Sequence, residues 1–295
     1  MTVPERFFTL LGRTNLTEKD VEQFAGHKAT VKRRLETVFP SSTIVQMGSQ
    51  TRGSEVRGSS DIDLLLSMPR ESVRWGDKYK RSDTVLTEVR QQLEARYTQT
   101  AVDRDGQAIA ISFGGGQYII EVVPGFYWEP DANNNNYPTY YIPDGGGGWM
   151  KTGPQTHNKF IAEADARSGG KLKNVAKLLK WWRVCRTPNV ALSSFHVELL
   201  LAQEGTCAGV KSYQRCLRDA FVLLFRRECR GLQDPCGVAG LVKACDTEPK
   251  REKTQASVND SAWYAQQAIE AEDAGKITDA YQRWDQAFNG QFPKS

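Results

Sequence analysis

The chain has 295 residues, enough for one large or two modest domains with a sizeable core. Its formal charge of +4 excludes a strongly basic nucleic-acid binder, and its apolar and charged fractions are those of an ordinary soluble globular protein. No apolar run reaches the length of a membrane span and Met1 to Leu11 has no signal-peptide pattern, so a cytoplasmic location without membrane attachment is expected.

Leu16 to Val38 reads as a long amphipathic helix. Thr17 is its N-cap, Glu18 and Asp20 sit in its first turn, and Val21, Phe24, Ala25, Val31, Leu35 and Val38 form one stripe. Pro40 and two serines end it. Thr43 to Val45 then reads as the end of a buried strand, and Met47 to Leu66 follows as M-G-S-Q-T-R-G-S-E-V-R-G-S-S-D-I-D-L-L-L. Gly48 lets backbone approach a ligand, Ser49 can cap the short helix that follows and present a hydroxyl to phosphate, and the unpaired N–H groups at that helix start favour anions. Side chains alternate along a strand, so Asp61 and Asp63 share one face while Ile62, Leu64 and Leu66 take the other. Two adjacent carboxylates repel unless a cation sits between them, and hard divalent cations prefer oxygen ligands. Asp-x-Asp or Gly-Ser alone is commonplace on the surface of a fold. Together, in this order, they describe a phosphate cradle beside a metal platform.

Arg70 to Arg81 is charged and aperiodic, a loop. Ser82 to Tyr97 reads as a second helix. Ala108 to Phe113 and Tyr118 to Val123 read as a hairpin about Gly114-Gly115-Gly116-Gln117. Glu121 stands in that apolar second strand, and a buried unpaired carboxylate is expensive, so it either faces solvent or serves a site. Trp128 to Met150, with its asparagine and glycine runs, reads as a long irregular segment and places a domain boundary near residue 150. The division expected is 1–150 and 151–295.

From Lys151 the chain reads as helical. Candidates are 154–166, 171–186, 193–203, 212–229, 257–274 and 278–288, with 230–255 rich in loops. Lys173, Lys177 and Lys180 lie on one face of the second of these, an excess of one sign that suits an anion such as a triphosphate. Six cysteines in this half form no C-x-x-C, and three histidines are too few for a zinc site, so reduced thiols are expected.

The spacing of Gly48-Ser49 to Asp61-Ile62-Asp63 resembles the signature of the DNA polymerase β-like nucleotidyltransferases. Leu178-Leu179-Lys180-Trp181-Trp182 and Ser193-Ser194-Phe195-His196-Val197-Glu198 resemble the helical domain of one branch. That branch contains the oligoadenylate synthetases, cyclic GMP-AMP synthase and the bacterial CD-NTases of antiphage CBASS systems. The resemblance runs from about Leu16 to Leu201. It implies an α+β fold: a nucleotidyltransferase core, a mixed sheet with flanking helices, plus a C-terminal helical domain, two lobes around a cleft.

By position the resemblance implies that Asp61, Asp63 and Glu121 bind two Mg²⁺ ions, with Mn²⁺ as a substitute. The family more usually has Asp at the Glu121 position. Gly48, Ser49, Lys180, Ser194 and, more weakly, Lys173 would bind nucleotide, whereas His196 reads as packing. The activity implied is synthesis of a cyclic di- or trinucleotide from NTPs, ATP among them, in antiphage defence and with a regulatory partner protein. Binding of nucleic acid is not required. The alternatives are a nucleotidyltransferase that makes linear oligonucleotides or modifies RNA or protein, and an inactive nucleotide sensor.

Overall fold

A computed structural model describes residues 2–59, 61–186 and 188–294. They divide into two compact units. One consists of residues 1–15, 159–235 and 241–295, and the other of residues 16–158 and 236–240.

The chain opens with α1 (Val3–Thr14), which the sequence analysis left unassigned. Its start is marked by a capping box between Thr2 and Glu5 and by Pro4 in the first turn. α1 belongs to the helical unit: Phe7 is fully buried and meets Trp284 edge-on at 4.9 Å and Phe292 at 5.0 Å. The expected division at residue 150 is therefore shifted at both ends. The first fifteen residues pack with the later helices, and the later boundary follows Asn158.

The second unit is built on a seven-stranded sheet. α2 (Glu18–Val38) has the Thr17 cap the sequence predicts, but of the expected stripe only Phe24, Val31 and Leu35 are buried; Val21 and Ala25 are exposed and Val38 is half-buried. β1 (Thr43–Met47) leads into the single turn α3 (Ser49–Arg52), then into β2 (Ile62–Met68). Arg70 to Arg81, expected as a loop, holds a 3₁₀ turn and a small hairpin, β3 (Arg74–Trp75) and β4 (Lys78–Tyr79). α4 (Ser82–Glu94) precedes β5 (Ala101–Asp105), β6 (Ala108–Phe113) and β7 (Tyr118–Asp131). The order across the sheet is β1-β2-β7-β6-β5; β2 and β7 are parallel and the other pairs antiparallel.

The region 128–150 corrects the expectation of an irregular segment. β7 runs on for 14 residues, pairs with β8 (Tyr137–Pro143), and β8 pairs with β9 (Trp149–Thr152). The asparagines make the turn: Asn134 and Asn136 donate backbone N–H groups to the Asp131 carbonyl, and Asn135 and Asn136 take positive φ, which Asn tolerates. The glycine run is a turn as well, because Asp144 Oδ1 accepts from the N–H groups of Gly146 and Gly148 at 2.7 and 2.9 Å.

Ile62, Leu64 and Leu66 of β2 pack under α2 and α4 with Ile109, Ile120 and Val122. Leu65 takes the opposite face with Val123, Tyr140 and Ile142. Strand alternation thus leaves the Asp61–Asp63 face over the smaller cluster.

The helical unit contains α5 (Pro154–Arg167, its first residues in the sheet unit), α6 (Lys171–Val184), α7 (Ser194–Gln203), α8 (Tyr213–Arg226), α9 (Glu248–Asp273) and α10 (Ile277–Ala287). A short ladder, β10 (Leu232–Gln233) with β11 (Leu241–Val242), lies in the loop-rich stretch. α9 starts nine residues earlier than the expected 257 because Pro249 occupies its first turn, where no intrahelical N–H is needed. Trp182 is buried against Phe221 and donates to Ser261 Oγ at 2.8 Å. The six cysteines are free thiols. Among the described residues no helix is long and apolar enough to cross a membrane.

Candidate active site

Gly48 joins β1 to α3 at φ 78°, ψ −161°, a region essentially closed to residues with a Cβ. The reason for glycine is specific. A Cβ built on Gly48 would lie 1.6 Å from Asp63 Oδ2 and 2.5 Å from its Cγ. The Asp63 carboxylate therefore occupies the space that a side chain at position 48 would take. Ser49 is not the helix cap expected of it: Gly48 takes the N-cap position, with no side chain to cap, and Ser49 is the first residue of α3, its carbonyl accepting from the Ser54 N–H at 3.1 Å. The α3 turn is tied from both sides. Gln46 Nε2 donates to Gln50 Oε1 at 3.0 Å, and Asn158 Nδ2 donates to Thr51 Oγ1 at 3.1 Å.

Register brings the third carboxylate into place. In the parallel pairing of β2 with β7, Asp63 lies opposite Glu121, and Met47 lies opposite Asp63 on the other side. Opposed residues of neighbouring strands point to the same face at about 4.8 Å spacing. Asp61 shares the face from two residues upstream. The structure thus unites Asp61, Asp63 and Glu121, which lie far apart in sequence.

The electrostatics of this trio are strained without a cation. Burial, reinforced by the charges of Asp63 and Asp105, pushes the Asp61 carboxyl up to about 6. Burial does the same to Glu121, which is pushed up to about 8, aided by Asp63, Asp61 and Asp105 and by a hydrogen bond to Asp63. Glu121 therefore keeps its proton near neutrality and donates it in the hydrogen bond to Asp63. Three half-buried carboxylates on one face, with the ionised forms of Asp61 and Glu121 destabilised, fit a hard divalent cation, which would replace the proton and remove the repulsion.

Asp105 was missed by the sequence reading. It ends β5 at the Gly106 turn, exposed, in register with Ala108. Alternation puts it on the carboxylate face, because Asp103 opposes Ala110 and Ala110 opposes Glu121. The signal for it was the Asp-Gly pair closing a hairpin whose neighbouring strand carries Glu121.

The remaining expected nucleotide ligands lie in the helical unit. Lys180 is buried in α6 and its ammonium pairs with Glu198 of α7 at 2.8 Å. The like-charged face expected of α6 is compensated elsewhere too: Lys173 Nζ lies 3.7 Å from Asp165, and Lys177 Nζ donates to Asn15 Oδ1 at 3.3 Å. Ser193 caps α7 by accepting from the His196 N–H, while Ser194 Oγ accepts from Arg183 at 2.6 Å. His196 is buried with Nε2 3.0 Å from the Arg230 carbonyl, and burial pushes its ring down to about 4, so it is neutral and structural.

A family model described as the Second Messenger Oligonucleotide or Dinucleotide Synthetase domain matches residues 1–165, more than half of the chain. The chain is 28% identical, over an alignment of 322 positions, to a cyclic AMP-AMP-AMP synthase of an Acinetobacter strain, covering 100% of this chain and 87% of that protein. It is 23% identical over 286 residues to a probable cyclic nucleotide synthase of Bacillus cereus, covering 87% of this chain and 84% of that one. Its fold is similar to that of the Vibrio cholerae DncV cyclic AMP-GMP synthase in complex with the linear intermediate 5′ pppA(3′,5′)pG. The TM-score is 0.76 at 12% identity, over 98% of this chain and 95% of that one. The chain belongs to the Second Messenger Oligonucleotide or Dinucleotide Synthetase family, and so to the CD-NTases of the polymerase β-like nucleotidyltransferase superfamily.

Proposed function

We propose that the chain is a metal-dependent nucleotidyltransferase that joins nucleoside triphosphates into a cyclic di- or trinucleotide signal. One observation carries the reading: the parallel register that sets Glu121 beside Asp63, with Asp61 on the same face. Both curated relatives are named as cyclic nucleotide synthases, which supports a cyclic product. CD-NTases use divalent metal ions, and we assign two Mg²⁺ to Asp61, Asp63 and Glu121. When bound, the ions neutralise the triphosphate and lower the pKa of the acceptor ribose hydroxyl.

The residues act around that chemistry. Gly48 and Ser49 offer backbone N–H groups to the donor triphosphate. Asp63 is held by the gap over Gly48, so its carboxylate needs little reorganisation when substrate arrives. Glu121 gives up its proton as the site loads. The acceptor oxygen forms a bond to the donor α-phosphorus, the bond to pyrophosphate breaks, and the hydroxyl proton leaves to solvent. A second such attack, within a linear intermediate like the one bound to DncV, closes the ring. Lys173, Lys180 and Ser194 are proposed nucleotide contacts. For Lys180 this requires its ammonium to exchange Glu198 for a phosphate.

The test is incubation with four NTPs and Mg²⁺ or Mn²⁺, then phosphatase, then mass spectrometry. A phosphatase-resistant product is expected, and Asp61→Ala with Asp63→Ala should abolish it. A sensitive product would mean linear chains. Nucleotide binding without pyrophosphate release would mean a sensor.

A further inference from the structure

Asp20 is the one acidic side chain of the α2 N-terminus that is buried, at 5% exposure. A capping-box carboxylate ordinarily stays in water, and burying one is costly unless it is hydrogen-bonded and paired. Asp20 completes the capping box: its Oδ2 accepts from the Thr17 N–H at 3.0 Å and from Thr17 Oγ1 at 2.6 Å. It then makes two contacts that the cap does not need. Arg57 Nε lies 3.1 Å from Oδ2, and the Tyr118 hydroxyl donates to Oδ1 at 3.3 Å from 98 residues away.

These two partners belong to the two segments that carry the carboxylates, Tyr118 from the core face of its strand. Arg57 lies in the loop between α3 and β2, four residues before Asp61. The buried Val56 and Ser54 anchor the same loop, and the Ser59 N–H turns back to the Val56 carbonyl at 3.1 Å. Tyr118 is the first residue of β7, three residues before Glu121, and its ring packs edge-on against Phe24 of α2 at 5.1 Å. α2 also reaches the phosphate-cradle side, where Lys28 Nζ donates to Gln46 Oε1 at 3.0 Å and Gln46 in turn holds Gln50. One helix start thus touches the loop that delivers Asp61 and the strand that delivers Glu121.

We propose that Asp20 is a positioning residue of the carboxylate site, holding Asp61 and Glu121 in mutual register through Arg57 and Tyr118. Lost charge on Asp20, or a lost partner, lets the loop and the strand end drift apart. The ligand oxygens then diverge while the sheet stays folded.

This inference rests on the nucleotidyltransferase reading of the site, and the experiment separates the two. Binding of Mn²⁺ alone to the full chain is titrated by the electron paramagnetic resonance of the free ion. Pyrophosphate release from NTPs is followed in parallel. Arg57→Ala and Tyr118→Phe leave the Thr17–Asp20 cap intact, so they probe the hub without uncapping α2. Arg57→Ala is expected to weaken Mn²⁺ binding and slow pyrophosphate release by about tenfold each, the usual scale for groups that orient metal ligands. Its melting temperature should stay near that of the parent. Arg57→Lys should recover most of the binding. Asp20→Asn added to Arg57→Ala should cost little more, because the two act as a unit. Unchanged Mn²⁺ affinity in Arg57→Ala overturns the inference, as does a parent that binds no Mn²⁺. So does a loss that only follows the fraction unfolded. A parent that binds Mn²⁺ and releases no pyrophosphate sinks the functional reading, while the affinity comparison still decides this one.

Discussion

Glu121 holds a proton at neutral pH in the cation-free protein, because burial and three neighbouring carboxylates raise it to about 8. In the unfolded chain it ionises near 4.5. Between those values the folded state binds a proton that the unfolded state has released, so stability falls as pH rises through that window. Asp61 adds a smaller decline between 3.8 and about 6. In the presence of a chelator, the melting temperature should drop from pH 5 to pH 8.5, and Glu121→Gln should flatten most of that slope. Mg²⁺ should stabilise the parent at pH 8 and barely at pH 5, where protons compete for the same oxygens. Asp105→Asn removes one of the raising charges, so both carboxyls should titrate lower. Cation affinity should also fall a few-fold, read by the same melts against Mg²⁺ concentration. Gly48→Ala combines an overlap with Asp63 and a strained backbone, a cost on the order of 1–3 kcal/mol in urea unfolding, together with loss of synthesis.

Among the elements, α6 and α7 present the clearest conflict between charge pattern and packing. Lys180 and Glu198 are both buried, with side chains 5% and 1% exposed, and each is the other's ion-pair partner. Lys180→Met should destabilise the helical unit by about 3–5 kcal/mol in urea unfolding, and Lys180→Met with Glu198→Leu should recover much of that. A Lys180→Met protein of parental stability would show that the pair matters little to the fold. The spacing of three lysines on α6 was legible; their partners were not, because Asp165, Asn15 and Glu198 come from other elements. The same limit explains the sheet. The strand alternation of Asp61, Asp63 and Leu65 could be read directly, and the α2 cap likewise. The extension of β7 could not, since Pro124, Gly125 and Pro130 look like strand breakers. Tertiary pairing overrides them: Pro124 is opposed by Leu66, and a Cβ on Gly125 would meet the Tyr141 carbonyl of β8 at 2.5 Å. Glu121 was identified by family pattern; only the register explains its position.

On the scale of the whole molecule, the chain passes between its two units four times, after residues 15, 158, 235 and 240. Cutting it near residue 150 would strand α1 without the Trp284, Phe288 and Phe292 side chains that cover Phe7. A fragment of residues 1–158 should therefore aggregate more than one of residues 16–158, as read by light scattering. In the full chain, Phe7→Ala should cost about 3–5 kcal/mol in denaturant unfolding.

The parallel pairing of Asp63 with Glu121 also makes the site a matter of timing. Its partners are 58 positions apart along the chain, 63 to 121, with α4 and two hairpins between them. Local hairpins close within microseconds, but a parallel pairing waits for the intervening chain to be ordered. The carboxylates proposed to hold the metal ions thus meet late on the way to the native state, and they meet as like charges. If that encounter precedes the rate-limiting barrier, Glu121→Gln speeds refolding at pH 8 and leaves unfolding unchanged; if it follows, only unfolding slows. Stopped-flow chevrons distinguish the two.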